Sequence, residues 1–227
     1  MSKCYMYDRC NHIDCGSSFC VKKYKLDFLY DKALIPENQR QYFVMYLDKE
    51  RKDKSSYDAL KDIENNIVDF VNNGKNVYIY SKVCGNGKSS WSLKLAQAYI
   101  DKIWSKCKLE CKVLFISVPK YLLALKDNIT EKSEYISHIK ENVLTCDLVI
   151  WDDISNKYGT EFELTNLLSI IDYRLSNNKA NIYTSNISPD NLKQYMGDRL
   201  TSRIANFSLT VKFEGGDKRQ LMMNNEL

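Results

Sequence analysis

A short segment in the first half of the chain carries the residues with the clearest chemistry. It reads Tyr80-Ser81-Lys82-Val83-Cys84-Gly85-Asn86-Gly87-Lys88-Ser89-Ser90 and lies between a predicted strand and a predicted helix. Glycines let backbone N–H groups turn toward an anion, and a helix N-terminus adds partial positive charge. Lys88 would reach the β- and γ-phosphates of a nucleotide, and the Ser89 hydroxyl would bind Mg²⁺. The segment therefore predicts a phosphate-binding loop, with nucleotide-binding residues Gly85, Asn86, Gly87, Lys88, Ser89 and Ser90.

The loop departs from its consensus at one position. The pattern is G-x-x-x-x-G-K-[ST], and Lys82 occupies the place of the first glycine. Gly85 and Gly87 still supply backbone flexibility, and Lys82 adds positive charge nearby. The alternative interpretation is a chance Gly-Lys-Ser at a strand–helix turn.

An apolar segment ending in two carboxylates follows about sixty residues later. It reads Leu148-Val149-Ile150-Trp151-Asp152-Asp153. Asp152 would hold Mg²⁺ through its water shell, and Asp153 would orient or deprotonate an attacking water. Alternatively, the acidic pair caps the helix that follows.

Four further polar residues are candidates for the same site. Asn186 ends the predicted strand Asn181-Ile182-Tyr183-Thr184-Ser185-Asn186, where it would position water. Arg199 and Arg203 lie four residues apart, on one helical face, and one of them would stabilise transition-state charge in a neighbouring subunit. The plainer alternative for either arginine is a surface ion pair. Arg219 is a weaker candidate for contact with the γ-phosphate.

Apolar periodicity around these residues predicts alternating strands and helices. The predicted helices span residues 56–72, 89–104, 162–175 and 191–207, with a helical stretch beginning at 121. The predicted strands span residues 77–80, 112–118, 148–151, 181–184 and 209–213. This alternation indicates an α/β fold whose parallel sheet is covered by helices on both faces.

Composition narrows the class of protein. The 227 residues are 44% hydrophobic and 27% charged, with a net charge of +4, which excludes disordered and collagen-like chains. No apolar run approaches the ~18 residues of a membrane helix, and the first residues lack a signal-peptide core. We therefore expect a cytoplasmic protein that has no membrane partner.

The first twenty residues contain four of the eight cysteines. These are Cys4, Cys10, Cys15 and Cys20, with His12 among them. A reducing compartment disfavours disulfides, so four thiols, or three with His12 as substitute, would complete a tetrahedral zinc site. The alternative is four free cysteines. We predict a Cys-rich head and linker over residues 1–50 and the α/β domain over residues 51–227. The charged run over residues 48–54, at the boundary between them, is interpreted as a solvated linker or helix face.

Taken in order and spacing, the motifs resemble the AAA+ ATPases of the DnaC/DnaI type, the bacterial and phage replicative helicase loaders. The resemblance spans roughly residues 60–220 and implies a P-loop NTPase with a RecA-like core. It places Lys88 and Ser89 in the Walker A motif, Asp152 and Asp153 in Walker B, and Asn186 at sensor I. It also makes Arg203 the arginine finger and Arg219 the sensor II arginine. The family's N-terminal domain binds the helicase, and its DnaI branch carries zinc there.

The resemblance implies an ATPase that uses ATP, Mg²⁺ and Zn²⁺ and self-associates through its ATP site. Its function would be to deliver a hexameric DnaB-family helicase onto single-stranded DNA in a bacterial host cell, and the composition suggests a phage or mobile element. Asp153 replaces the usual glutamate, so slow hydrolysis is expected. Only fourteen residues follow Phe213, so the helical lid is expected to be absent, as in the loader branch. The alternatives are an IstB-like transposition ATPase and a non-hydrolysing helicase-binding adaptor or inhibitor.

A lysine-rich stretch over residues 102–126 is a candidate DNA surface. Its six lysines are interspersed with Trp104, Phe115 and Tyr121. Lysines would release counterions from DNA, and the aromatic rings would stack on bases. The alternative is a solvated face. Residues 127–142 match in position the extra helix that helicase-loading AAA+ proteins use on DNA.

Overall fold

The computed structural model describes residues 20–41, 45, 52–127, 132–155 and 160–217. Within them, five strands form one sheet in the order β2-β3-β4-β1-β5, and every neighbouring pair is parallel. The strands are β1 (Asn76–Tyr80), β2 (Val113–Ser117), β3 (Leu148–Asp152), β4 (Ala180–Ser185) and β5 (Leu209–Lys212). The predicted parallel sheet is therefore confirmed.

Helices cover both faces of this sheet. They are α1 (Val21–Lys32), α2 (Lys54–Asn65), α3 (Ile67–Asn72), α4 (Lys88–Ile103), α5 (Val118–Asp127), α6 (Glu134–Asn142), α7 (Glu161–Ser176) and α8 (Pro189–Phe207), with a 3₁₀ turn at Glu37–Gln39. Helices α1 to α4 pack on one face and α5 to α8 on the other. No helix in the described ranges is long and apolar enough to cross a membrane.

Strands β1 to β4 divide their side chains between the two cores, whereas the edge strand β5 buries only Val211. In β1, Val77 and Ile79 join the core under α1 to α4, whereas Tyr78 joins the opposite core. A strand buried on both faces is apolar throughout, because neither set of alternate side chains reaches water. The sheet strands could therefore be recognised as short continuous apolar runs.

The helix predicted over residues 56–72 is two helices. Helix α2 ends at Asn65 and α3 begins at Ile67, with Asn66 between them in a non-helical conformation. The Asn66 side-chain amide donates to the Asp62 carbonyl at 3.1 Å. Asparagine side chains compete for backbone groups in this way, which explains a break that apolar spacing did not reveal.

Part of the predicted head and linker packs onto the α/β core. Leu26, Leu29 and Tyr30 of α1 are buried in the core beneath α4, and the Phe115 amide of β2 donates to the Ala33 carbonyl at 2.8 Å. The division at residue 50 stays a prediction, since residues 1–19 and 46–51 lie outside the described residues. Residues 20–40, however, share the core of the domain that follows.

The charged run over residues 48–54 was predicted to be solvated, and for Asp53 this is wrong. Its side chain is only 1% exposed. The Asp53 Oδ1 atom accepts hydrogen bonds from the backbone amides of Glu214 at 2.7 Å and Gly215 at 3.0 Å. A buried carboxylate requires such partners, because removing its charge from water is costly.

Candidate nucleotide-binding site

The predicted phosphate loop connects β1 to α4. Gly87 precedes the helix with φ of 99°, and Gly85 has φ of 76°, both in the region that favours glycine. Lys88 begins α4 and is largely buried. Its Nζ atom donates to the Val83 carbonyl at 3.0 Å and to Asn86 Oδ1 at 3.4 Å. The Lys88 side chain therefore lies across the inside of the loop.

Asn86 provides a test of whether this loop fits phosphate. Its side chain is fully buried, and its Nδ2 group has no hydrogen-bond acceptor within the described part of the chain. An unmatched buried donor costs about 1–3 kcal/mol, so the loop lacks an acceptor at this point. Phosphate oxygens supply acceptors, and the residues present therefore fit a nucleotide's phosphates.

The acidic pair at the end of β3 is held by Thr184 of β4. The Thr184 hydroxyl donates to Asp152 Oδ1 at 2.8 Å and accepts from the Asp153 amide at 2.9 Å. Asp153 adopts a left-handed conformation with φ of 54°, which is uncommon outside glycine but tolerated by aspartate and asparagine. Thr184 therefore fixes the positions of both acidic residues.

Asn186 lies beside the second of these carboxylates. Its Nδ2 group donates to Asp153 Oδ1 at 3.3 Å, and its backbone amide donates to the Ser155 hydroxyl at 3.3 Å. Strand β4 runs between β1 and β3 in the sheet. The phosphate loop, the acidic pair and Asn186 thus meet at the edge formed by the carboxyl ends of these three strands.

The pKa of Asp153 is raised above the ordinary aspartate value. Burial is the largest cause, and the neighbouring Asp152 charge acts in the same direction. The positive charge of Lys88 and a hydrogen bond from Ser155 oppose the rise. The opposing effect of Lys88 on this pKa is consistent with the meeting of the phosphate loop and the acidic strand at one edge of the sheet.

Arg203 lies outside this cluster, on α8. Its Nε atom forms an ion pair with Asp172 Oδ1 of α7 at 2.6 Å, and half of the Arg203 side chain is exposed. Arg199 and Arg203 line one cleft of about 400 Å³ between the two helices. The two arginines therefore share one face of α8, as predicted. Arg203 also forms a surface ion pair, which was the plainer alternative interpretation.

The remaining predicted ligands fall mostly outside the described residues. Arg219 does so, as do Cys4, Cys10, Cys15 and His12. Cys20 is exposed, and its Sγ atom accepts from the Lys23 amide at 3.4 Å, capping α1. Where the structure describes the chain, no three His, Cys, Asp or Glu residues are grouped to hold a metal ion. The zinc site stays a prediction.

One of the three aromatic residues in the lysine-rich stretch is not accessible for the predicted stacking on bases. Tyr121 is buried and donates to Asn166 Oδ1 at 2.8 Å, while Trp104 and Phe115 pack partly against the core. The Lys112 Nζ atom forms ion pairs with Glu110 Oε1 at 2.6 Å and with Asp147 Oδ2 at 3.5 Å. The aromatic stacking hypothesis is therefore wrong for Tyr121. Helix α6 does follow α5, in the region predicted to carry an extra helix.

Sequence reasoning missed two residues that organise the acidic pair. Thr184 and Ser155 both contact it, and Thr184 stands in the Tyr-Thr-Ser-Asn segment whose last residue was selected. No sequence pattern marks either residue, because their contacts depend on which strands become neighbours in the sheet.

Comparison with known proteins places this geometry in a family context. The family model described as the bacterial DnaA ATPase domain matches residues 61–212. The replicative helicase loader DnaI of Bacillus subtilis (strain 168) is 23% identical over an alignment of 161 residues, which covers 64% of this chain and 48% of that protein. The chain thus spans about half the length of this curated relative.

Solved structures share the fold. The crystal structure of the DnaC helicase loader superposes with a TM-score of 0.60 at 18% identity, covering 76% of this chain and 94% of that one. The replication initiator DnaA bound to AMPPCP and single-stranded DNA gives 0.57 at 20% identity, covering 80% and 52%. The resemblance to DnaC/DnaI-type proteins that the motifs indicated is confirmed.

Proposed function

Because the chain belongs to the bacterial DnaA ATPase-domain family, we propose that it is an ATP-binding and ATP-hydrolysing helicase loader. It would deliver a hexameric DnaB-family helicase onto single-stranded DNA in the cytoplasm of a bacterial host. The observation that carries the nucleotide part is the meeting of the phosphate loop, the acidic pair and Asn186 at one sheet edge. The relative named as a replicative helicase loader supports the helicase part. The DnaA structure bound to single-stranded DNA supports the DNA part.

Nucleotide binding would use the phosphate loop as it stands. Backbone amides between Gly85 and Ser90 would surround the phosphates, and the unmatched Asn86 Nδ2 group would gain an acceptor. Lys88 would exchange its contacts with Val83 and Asn86 for the β- and γ-phosphate oxygens. Since these starting contacts are neutral acceptors, a charged phosphate is the stronger partner for the ammonium group.

Hydrolysis would use the acidic pair. The Ser89 hydroxyl and Asp152 would hold Mg²⁺, which when bound neutralises charge on the phosphates. Asp153 would accept a proton from water, and the Asn186 amide would keep the Asp153 carboxylate in place through their hydrogen bond. Because the pKa of Asp153 is raised, this carboxylate is a better base than an exposed aspartate.

Asp153→Asn should separate binding from hydrolysis. The turnover rate should fall at least ~100-fold because an amide cannot accept the proton, while the nucleotide dissociation constant should stay within about twofold. Asparagine tolerates the left-handed backbone at this position, so folding should persist. Steady-state ATPase assays and nucleotide titration measure the two quantities. Asp147→Asn, just before the same strand, is the matched control and should leave turnover unchanged.

The stability of Asp153→Asn provides a second test of the same site. A raised pKa means that the native state binds this proton more tightly than the unfolded state, so the ionised carboxylate opposes folding at neutral pH. Removing the charge should therefore leave the urea midpoint unchanged or raise it. A lower midpoint would contradict the assignment. By the same sign, wild-type turnover should begin to fall on acidification at a higher pH than an ordinary aspartate would give.

Arg203 would act across a subunit interface. Its ion pair with Asp172 is exposed, and such pairs contribute only about 0–1 kcal/mol, so the guanidinium is easily transferred to a neighbouring phosphate. Self-association through the ATP site follows from this proposal, because the Arg203 cleft is separate from the phosphate-loop cluster of the same chain.

Arg203→Ala should retain nucleotide binding and lose at least ~100-fold in turnover, because one transition-state charge contact disappears. Arg199→Ala, one turn earlier in the same cleft, is the control and should have a smaller effect. Mixing Arg203→Ala with a Lys88→Ala chain, which still carries the arginine, should restore ATPase activity. No restoration at concentrations where the chains associate would contradict action between subunits.

A loading assay tests the whole proposal. The cognate hexameric helicase is offered forked DNA whose single strand is covered by single-stranded-DNA-binding protein, with this protein and ATP. A loader increases unwinding, and Lys88→Ala removes the increase. Suppressed unwinding would identify the adaptor or inhibitor instead. An unaffected helicase with ATP-dependent stimulation of a transposase would identify the IstB-like function.

In this proposal the Cys-rich head, residues 1–50, would bind zinc and contact the helicase.

A further inference from the structure

We propose that residues 213–217, which follow β5 and which we call the strap, keep the phosphate loop closed until a nucleotide displaces the Asp217 carboxylate. The strap has a fixed base and a charged tip, and the tip lies against the loop. The inference rests on the proposed binding of nucleotide at this loop, and it adds a regulatory contact that the nucleotide must break.

The base of the strap is anchored on both sides. The Phe213 side chain is buried, and its amide donates to the Tyr80 carbonyl at 2.9 Å, at the end of the strand that leads into the phosphate loop. Asp53 then accepts the next two backbone amides, those of Glu214 and Gly215. Because the Asp53 carboxylate is itself buried and charged, these hydrogen bonds are strong, and they fix the direction in which the strap leaves the sheet.

The tip of the strap lies on the loop. A side chain placed at Gly85 would collide with the carboxylate of Asp217, so the two residues approach as closely as the absence of a β-carbon allows. Between base and tip, Gly216 has open space around the position of a side chain, with no atom within 4 Å. A glycine in open space gives the backbone between base and tip the conformational freedom that the tip would need to leave the loop while the base stays bonded to Asp53.

A carboxylate at this position competes with phosphate. Gly85 belongs to the stretch of backbone that would surround the phosphates, and Asp217 brings a negative charge to the same place. Like charges at close range repel, and the two groups also need the same space. A nucleotide therefore binds only when the Asp217 carboxylate leaves, and the affinity of the resting protein is reduced by the cost of that displacement.

Asp217→Asn tests the proposal when compared with Glu214→Gln. Both variants remove one negative charge from the strap, but the Glu214 side chain pairs with Lys212 and carries its charge elsewhere. Titration with the magnesium complex of AMPPCP should show about fivefold tighter binding for Asp217→Asn and no change for Glu214→Gln. The gain should shrink between about 0.05 M and about 0.5 M salt, because screening weakens the repulsion in the wild type.

Equal affinities for wild type and Asp217→Asn would overturn the proposal, and so would weaker binding by the variant, which would make Asp217 part of the nucleotide site. If neither protein binds the magnesium complex of AMPPCP, the proposed function fails as well, which distinguishes the two failures.

NMR gives an independent measurement. On nucleotide addition the Gly216 and Asp217 amide resonances should move toward random-coil positions, while those of Glu214 and Gly215 stay in place. Unmoved Gly216 and Asp217 resonances would also overturn the proposal.

Discussion

Lys88→Ala should reduce nucleotide affinity at least ~100-fold, the largest functional effect expected of any single substitution in the phosphate loop. The Lys88 ammonium group is buried at the start of α4, where the helix N-terminus and the loop amides already favour an anion. Alanine would remove the positive charge that Lys88 directs across the loop. The measurement is titration with the magnesium complex of AMPPCP, at matched protein concentration.

Lys82→Ala is the matched control for this experiment. Lys82 stands in the same loop and carries the same charge, but its side chain is exposed and occupies the position of the first consensus glycine. We expect less than about a threefold change in affinity, because an exposed charge is screened by solvent. Comparable losses in the two variants would show that the loop attracts nucleotide only through net charge, which would contradict the role of Lys88.

The site residues could be predicted because each follows a buried strand. Such a strand appears in the sequence as an apolar run, and the polar residue after it necessarily lies at the carboxyl edge of a parallel sheet. Asp153 and Asn186 were found in this way, and Lys88 was found from the phosphate-loop pattern that follows β1; the structure brings all three to one edge. The alternation of apolar segments also determined the layering, since strands buried on both faces require helices on both sides.

The contacts that connect distant segments could not be predicted in the same way. Asp53 stands in a run of alternating charges, where nothing distinguishes a solvated carboxylate from one that accepts two amides from a segment more than 160 residues later. Thr184 has the composition of an ordinary strand residue, yet it bonds both Asp152 and Asp153. Such roles depend on which strands become neighbours, and single-sequence patterns do not contain that information.

Arg174 is the strongest example, and it leads to the prediction with the largest effect on stability. The sequence places this arginine near the end of an amphipathic helix, where a solvated side chain is the usual outcome. It is instead completely buried. Its Nε atom donates to Asn181 Oδ1 at 2.8 Å, and its two terminal nitrogens donate to four backbone carbonyls, those of Val143, Cys146, Asp147 and Ala180.

This network joins the ends of α6 and α7 to the beginnings of β3 and β4. It lies at the amino ends of these strands, opposite the candidate site. The carbonyls belong to the connection between α6 and β3 and to the first residue of β4, while Arg174 belongs to α7. Burial lowers the pKa of the guanidinium, which is a cost of holding the charge there. The cost is accepted because a planar group with five donors satisfies acceptors that no shorter side chain could reach together.

Arg174→Met should therefore lower the free energy of unfolding by about 3 kcal/mol, since methionine fills much of the volume but leaves buried acceptors without donors. The loss of the desolvation cost offsets part of the penalty, which is why the expected value is below the sum over the individual hydrogen bonds. Arg174→Lys keeps the charge and only some of the donors, so it should fall between methionine and wild type. Urea denaturation followed by circular dichroism measures all three.

Arg203→Met is the control that distinguishes the loss of this network from the loss of an arginine side chain as such. It makes the same substitution at a half-exposed arginine with a single ion pair, so the expected change in unfolding free energy is within about 0.5 kcal/mol. In activity the order of the two variants should be reversed, with the less stable variant the more active one. Arg174→Met would keep nucleotide affinity at temperatures where it stays folded, because its network lies at the far edge of the sheet, whereas Arg203→Met would be stable and slow to hydrolyse. If Arg174→Met unfolded within 1 kcal/mol of wild type, the carbonyl network would not be what holds this edge of the sheet together.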